Sequence, residues 1–169
     1  MDLALDGSAH LNGRFVCGVT WAGWVLPYDR PTLIVPDDPL DVPEVVTHLL
    51  RVGFDDVQSY LEGGMADWET HGYPFGRLET ISVHDLADRL RFDSQRPFVL
   101  DVRTESEWEG GHIEGAHHVH GGTLQDRFSE VPRDQPVAVV CGSGYRASIA
   151  SSFLKREGYT DVMNVLGGM

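Results

Sequence analysis

The sequence predicts an α/β fold, and three observations carry that reading. Pro136-Val137-Ala138-Val139-Val140 is a short, apolar, β-branched run that reads as a buried strand. It ends at Cys141, passes through Gly142-Ser143-Gly144 and opens a helix. Along that helix Ile149, Ala150, Phe153 and Leu154 recur at the spacing of one buried face, and Gly158 stops it. The same order of strand, loop, helix, glycine stop and strand occurs a second time, 105 positions earlier. A further apolar run, Pro97 to Arg103, reads as another buried strand, this one ending in charge.

In chain order, the earlier copy comes first. Pro31-Thr32-Leu33-Ile34-Val35 matches Pro136 to Val140, and Arg51-Val52-Gly53-Phe54-Asp55-Asp56-Val57 matches Arg156 to Val162. Leu61-Glu62-Gly63-Gly64-Met65 then matches Leu166-Gly167-Gly168-Met169 with one residue inserted. A repeat this long implies duplicated domains and not a solenoid. The copies differ in chemistry: Pro36 stands where Cys141 does, and Asp41 where Arg146 does. The loop Pro36-Asp37-Asp38-Pro39-Leu40-Asp41 carries three carboxylates and no glycine, so it would repel an anion and reads as a solvated acidic turn. Only the later part of a domain is matched before it, Gly7 to Leu11 against Gly115 to Val119. The strand at Thr32–Val35 is therefore expected to have an open hydrogen-bonding side, which invites pairing with another chain.

The second copy begins at a short strand, Ile81-Ser82-Val83, followed by a helix over His84 to Leu90. After the strand at Pro97–Arg103, Glu105 to Gly111 is acidic, with Trp108 expected as its anchor into the core. Gly111 to Ala116 is a turn into a third strand, and Thr123 to Phe128 is a polar helical segment. Two domains follow, residues 1–76 as a partial, inactive repeat and residues 77–169 as the complete site, with a final helix expected beyond Met169.

Composition narrows the function. A formal charge of −13 and a pI of about 4.8 argue against nucleic acid or an anionic membrane surface as partner. Nothing approaches the roughly 18-residue apolar run of a spanning helix, and Met1 is followed by Asp2, unlike a signal peptide. Two distant cysteines suit a reducing, cytoplasmic setting, and neither has a zinc-ligand spacing. A thiol at the end of a strand, before a glycine turn and a helix, meets unpaired backbone N–H groups and the positive end of a helix dipole. Such a place makes a thiolate nucleophile. Two glycines and Arg146 beside Cys141 suit anion binding better than packing of a structural cysteine.

The residues Val99-Leu100-Asp101-Val102-Arg103, Glu107-Trp108, Gly111-His112-Ile113-Glu114-Gly115-Ala116, Cys141-Gly142-Ser143-Gly144-Tyr145-Arg146 and Leu166-Gly167-Gly168-Met169 together resemble a rhodanese domain over residues 80–169. Residues 9–75 resemble the second half of another without its cysteine. Trp21 to Leu26 and Tyr60 to Met65 resemble the tandem rhodanese region that follows a metallo-β-lactamase-type domain in bacterial persulfide-handling fusions. No His-x-His-x-Asp-His motif of that hydrolase occurs in this chain. The resemblance implies a three-layer α/β/α fold on a parallel sheet and sulfur transfer through a cysteine persulfide. The fusion resemblance implies a fused or partner metallo-β-lactamase-type domain, while the open edge of the Thr32–Val35 strand makes a homodimer the other expected assembly.

Loop length separates sulfur from phosphorus chemistry. Four residues lie between Cys141 and Arg146. Related phosphatases and arsenate reductases use a longer loop, which widens the ring of N–H groups around a tetrahedral oxyanion. Val140 also stands where a tyrosine phosphatase has a histidine. The expected reaction is double displacement without a cofactor: Cys141 takes sulfur from a small anionic donor and yields it to a thiol or to cyanide. Gly142, Ser143, Gly144, Tyr145 and Arg146 form the substrate cradle, with Arg146 pairing with the donor or fixing the loop. Asp101 and Arg103 read as an ion pair supporting that loop. His117, His118 and His120 cannot all converge from one strand, so no metal is expected. Cys17 and the four tryptophans read as packing residues. The contrasting reading is a non-catalytic regulatory or sulfur-carrier module, and a Cys-dependent phosphatase or arsenate reductase ranks behind it.

Overall fold

The computed structural model of the protein describes residues 21–169 and the backbone of Leu3–Ala4. Its centre is a five-stranded, all-parallel sheet in the order β5-β9-β8-β6-β7, formed by Glu79–Ser82 (β5), Phe98–Asp101 (β6), His117–His118 (β7), Val137–Val140 (β8) and Val162–Leu166 (β9). Val137 to Val140 are all buried, because β8 lies between β9 and β6 and is covered on both faces. That is why its sequence is a continuous apolar run and does not alternate.

Alternate residues along the strands build two cores. Val137 and Val139 pack with Ala147, Ala150, Phe153 and Leu154 of the helix Tyr145–Arg156, and with Leu124. Ala138 and Val140 pack on the other face with Ile81, Val99, Met163, Val165 and Leu86, the last from the helix Val83–Phe92. Helices on both faces of a parallel sheet make the expected three layers. Burial in the helix Tyr145–Arg156 extends beyond the one expected face, since Ser148, Ser151 and Ser152 are buried as well. Ser148 satisfies its hydroxyl on the Tyr145 carbonyl at 3.0 Å.

Boundaries shift where caps decide them. The first strand of this sheet ends at Ser82, one residue before the expected end, because Ser82 and Asp85 form a capping box that starts the helix at Val83. The expected strand to Arg103 stops at Asp101, where the chain turns to cap a five-residue helix, Glu105–Glu109. Trp108 lies on that helix and does not anchor the core. It is half-buried and stacks on His112 at 3.6 Å and on His118 at 5.0 Å, the helix lying beyond the end of β6. The expected segment at Thr123–Phe128 is one α-turn, Leu124–Arg127, flanked by two 3₁₀ turns.

Residues 21–76 hold a smaller β-α-β unit. Thr32–Ile34 (β2) and Val57–Tyr60 (β3) pair in parallel and are joined by the helix Val42–Arg51. Gly64, in the Gly-Gly turn that starts the helix Gly64–Thr70, packs on the Pro36 carbonyl so closely that a Cβ would collide with it. Their core is small: Ala22, Leu49 and Phe54. Leu3–Ala4 (β1) pairs antiparallel with Gly76–Arg77 (β4), so it does not extend the β2–β3 pair. The tryptophans expected in the core are at its margins. Trp21 and Trp24, in a helical turn over residues 21–25, rest on Gly121 and Gly122, where a side chain would meet their rings at 3.0 Å. Arg156 donates to the Val25 carbonyl at 2.6 Å across the same junction. No helix among the described residues is long and apolar enough to cross a membrane.

Candidate active site

The end of β8 delivers Cys141 into a turn that the following helix closes. Gly144 caps that helix in a left-handed conformation, φ 91°, which a glycine adopts without strain. A Cβ there would also lie 2.6 Å from Leu166 Cδ2. The Gly144 N–H donates to Cys141 Sγ at 3.1 Å, and the Ala147 N–H donates to it at 3.4 Å. Both donors belong to the first turn of a twelve-residue helix, whose dipole adds positive potential at the sulfur. The thiol itself is fully buried, while Gly142 and Ser143 are exposed at the mouth of the turn. Gly168 closes the far side, packed so tightly on Gly142 that a Cβ would overlap the Gly142 carbonyl.

Arg146, beside Gly142 at that mouth, is held by a carboxylate. Its Nη1 and Nη2 donate to Glu107 Oε2 and Oε1, each at 2.6 Å, a paired geometry in which the loop is fixed to the neighbouring helix. Glu107 is fixed in turn: Thr104 donates to its Oε2 from the backbone N–H at 3.0 Å and from Oγ1 at 2.7 Å. Arg146, opposed by burial and joined by Thr104, holds the Glu107 carboxyl far below the usual carboxylate range. The hydrogen bonds that Arg146 donates to Glu107 raise the Arg146 pKa in turn. Sequence reading named Arg146 and missed Glu107 as its partner. The signal was present, since Thr104-Glu105-Ser106-Glu107 has the capping-box spacing.

Asp101 and Arg103 form a buried pair, with Arg103 Nη2 donating to Asp101 Oδ2 at 2.7 Å and Nε to Oδ1 at 3.0 Å. Arg103 also donates to the Gly111 carbonyl at 2.8 Å, and its own carbonyl accepts from His118 Nε2 at 2.8 Å. The pair thus braces the segment 103–111 that carries Glu107. Asp101 also lies in register beside Val140, the residue before Cys141. His117 faces Glu130 at 2.8 Å and His120 stacks edge-on against Trp24, so the three histidines face three different ways. No group of three metal-ligating side chains gathers among the described residues. Cys17 lies outside the described residues.

A parallel sheet covered on both faces, with a cysteine turn opening a helix at its carboxyl edge, defines an α/β domain that sets a thiol against backbone N–H donors. Residues 82–169, more than half of the chain, match the family of the rhodanese-like domain, and the chain belongs to that family. It is 34% identical over 92 residues to a protein of Allochromatium vinosum that bears the name sulfurtransferase, covering 54% of this chain and 85% of that one. It is 33% identical over 81 residues to YqhL of Bacillus subtilis, covering 48% of this chain but only 64% of the relative. Among solved structures, a rhodanese-like domain protein from Staphylococcus aureus superposes with a TM-score of 0.51 at 28% identity, covering 54% of this chain and 88% of that one.

Proposed function

We propose that this protein is a sulfurtransferase that carries sulfane sulfur as a persulfide on Cys141. The observation that carries the reading is the pair of N–H groups, from Gly144 and Ala147, aimed at one sulfur atom. These are the donors a thiolate needs before reaction, and each charge-assisted bond is worth about 1.5–3 kcal/mol. With thiosulfate, the Cys141 thiolate attacks the outer sulfur, the S–S bond of the donor breaks, and sulfite leaves with the electron pair. The product is Cys141–S–S⁻. A thiolate or cyanide then attacks the terminal sulfur and restores the Cys141 thiolate, releasing a persulfide or thiocyanate. Arg146 and Glu107 hold the turn in shape, and Asp101 and Arg103 hold the segment that bears Glu107.

Residues 1–76 are best read as a partial repeat that has lost the chemistry. The order β2, helix, β3 and the packing of Gly64 on Pro36 support that reading, and the acidic loop has no thiol. The test is mass spectrometry after incubation with thiosulfate. Wild type gains one sulfur, about 32 Da, as expected for a covalent intermediate. Cys141→Ser gains none, and Cys17→Ser behaves as wild type. Sulfur retained on Cys141→Ser rejects the assignment.

A further inference from the structure

The helical turn over residues 21–25 has two packed sides. Ala22 is fully buried and joins Leu49 and Phe54 in the small core of residues 21–76. Trp21 and Trp24 face the other way, onto Gly121 and Gly122, with their ring centroids 4.5 Å apart. Neither glycine has a positive φ, so it is the indoles that need the missing side chains: a Cβ on either would lie 3.0 Å from a ring. Trp24 also meets His120 edge-on at 5.3 Å, and its carbonyl accepts from Gln125 Nε2.

The turn thereby grips both elements that meet at Cys141. The Gly121 N–H donates to the Val102 carbonyl at 3.2 Å, and the Val102 N–H donates to the carbonyl of Val140, the residue before Cys141, at 3.1 Å. On the other side, Arg156 donates to the Val25 carbonyl at 2.6 Å. Arg156 is the last residue of the helix whose first turn aims N–H groups at Cys141 Sγ. A helix moves as a stiff rod, so a hold on its last turn also fixes its start. We propose that the turn 21–25 is a positioning element for sulfur transfer, which keeps the Gly144 and Ala147 N–H groups on Cys141 Sγ by holding the β6 edge and the helix Tyr145–Arg156 together. The proposal rests on the sulfur-transfer reading and gives residues 21–76, whose own matching loop has no thiol, a part in it. Trp24 and Arg156 touch neither donor nor sulfur, so both are positioning residues. Their grips act on the N–H donors and not on the exposed mouth at Gly142 and Ser143, so the effect falls on the rate of loading and not on capture of the donor.

Single-turnover loading of Cys141 by thiosulfate, followed by mass in the full chain well below its melting temperature, tests this. Trp24→Ala and Arg156→Met each lower the limiting loading rate by about fivefold or more and leave the half-saturating thiosulfate concentration within about twofold, since small misplacements from remote changes cost rate. The double variant loses little more than the worse single one, because either change breaks the same docking. Trp24→Phe and Arg156→Lys, which keep a ring on Gly122 and a donor for Val25, stay near wild type. Hydrogen exchange quickens at the Gly144 and Ala147 amides in the slow variants. A junction that only stabilises the fold lowers the melting temperature and leaves the loading rate of the folded protein unchanged; that result overturns the proposal, as does a double variant whose losses multiply. Arg156 is half-buried on the last helical turn, and Arg156→Met decides the matter even if Trp24→Ala does not fold. Wild-type Cys141 that takes up no sulfur overturns the sulfur-transfer reading itself, whereas equal loading of wild type and variants overturns the positioning role alone.

Discussion

Two N–H groups reach Cys141 Sγ only because Gly144 holds φ at 91°, a conformation that any side chain would strain. An alanine there would also press on Leu166 and come within 3.3 Å of the Val165 carbonyl. Gly144→Ala is therefore expected to cost about 1–3 kcal/mol of stability by denaturant unfolding and to slow sulfur loading of Cys141. Unchanged loading in the folded variant would separate the glycine from the chemistry. Glu107 gives a pH signature at the same scale. Its folded pKa is depressed below the ordinary 4.5, chiefly by Arg146, so its stabilisation is complete above 4.5 and is lost as pH falls through the folded value. The melting-temperature gap between wild type and Glu107→Gln should be largest at neutral pH and narrow steadily below pH 4.5. A gap that stays constant to strong acid would mean that the ion pair does not stabilise the fold. These roles were unevenly legible. The thiol and its glycines announce themselves in a ten-residue stretch, whereas the role of Glu107 depends on a capping box and on an arginine 39 positions away.

The strand, turn and helix around Cys141 form one element whose length is its function. Gly144 and Ala147 are three and six residues beyond the cysteine, and both point at its sulfur because the first helical turn begins where it does. One glycine inserted after Gly144 moves Ala147 along the chain and breaks that convergence. Such a variant should keep its circular dichroism and lose sulfur transfer; wild-type turnover of thiosulfate would refute the argument from loop length. Buried strands were readable because β8 is apolar throughout and β6 is apolar up to its last residue, Asp101, as befits central strands of a parallel sheet. Trp108 was misread for a tertiary reason. A large aromatic beside a strand usually turns inward, but here the chain leaves the sheet at Asp101, and the ring is used to stack on His112 and His118.

At the scale of the whole molecule, the two parts are unequally finished. Residues 77–169 bury two extensive apolar clusters against one five-stranded sheet, while residues 21–76 bury only Ala22, Leu49 and Phe54 in theirs. The sequence match at a spacing of 105 carried no sign of how thinly the first part is packed. Trp21, Trp24 and Val25 secure it to Gly121, Gly122 and Arg156, which leaves β2 on the other side of the question. Among the described residues β2 pairs with β3 alone, and Leu33 and Leu40 near it are 54% and 84% exposed. Two strands seldom make a stable sheet, and a strand with one open edge and apolar side chains is a template for another chain. The protein is thus expected to self-associate at micromolar concentration, measured by light scattering across a dilution series. Leu33→Lys, which places a charge on the exposed strand without touching the Cys141 turn, should shift the population toward monomer and leave sulfur transfer unchanged. A wild-type chain that stays monomeric throughout the series would mean that the β2 edge is covered within the same molecule.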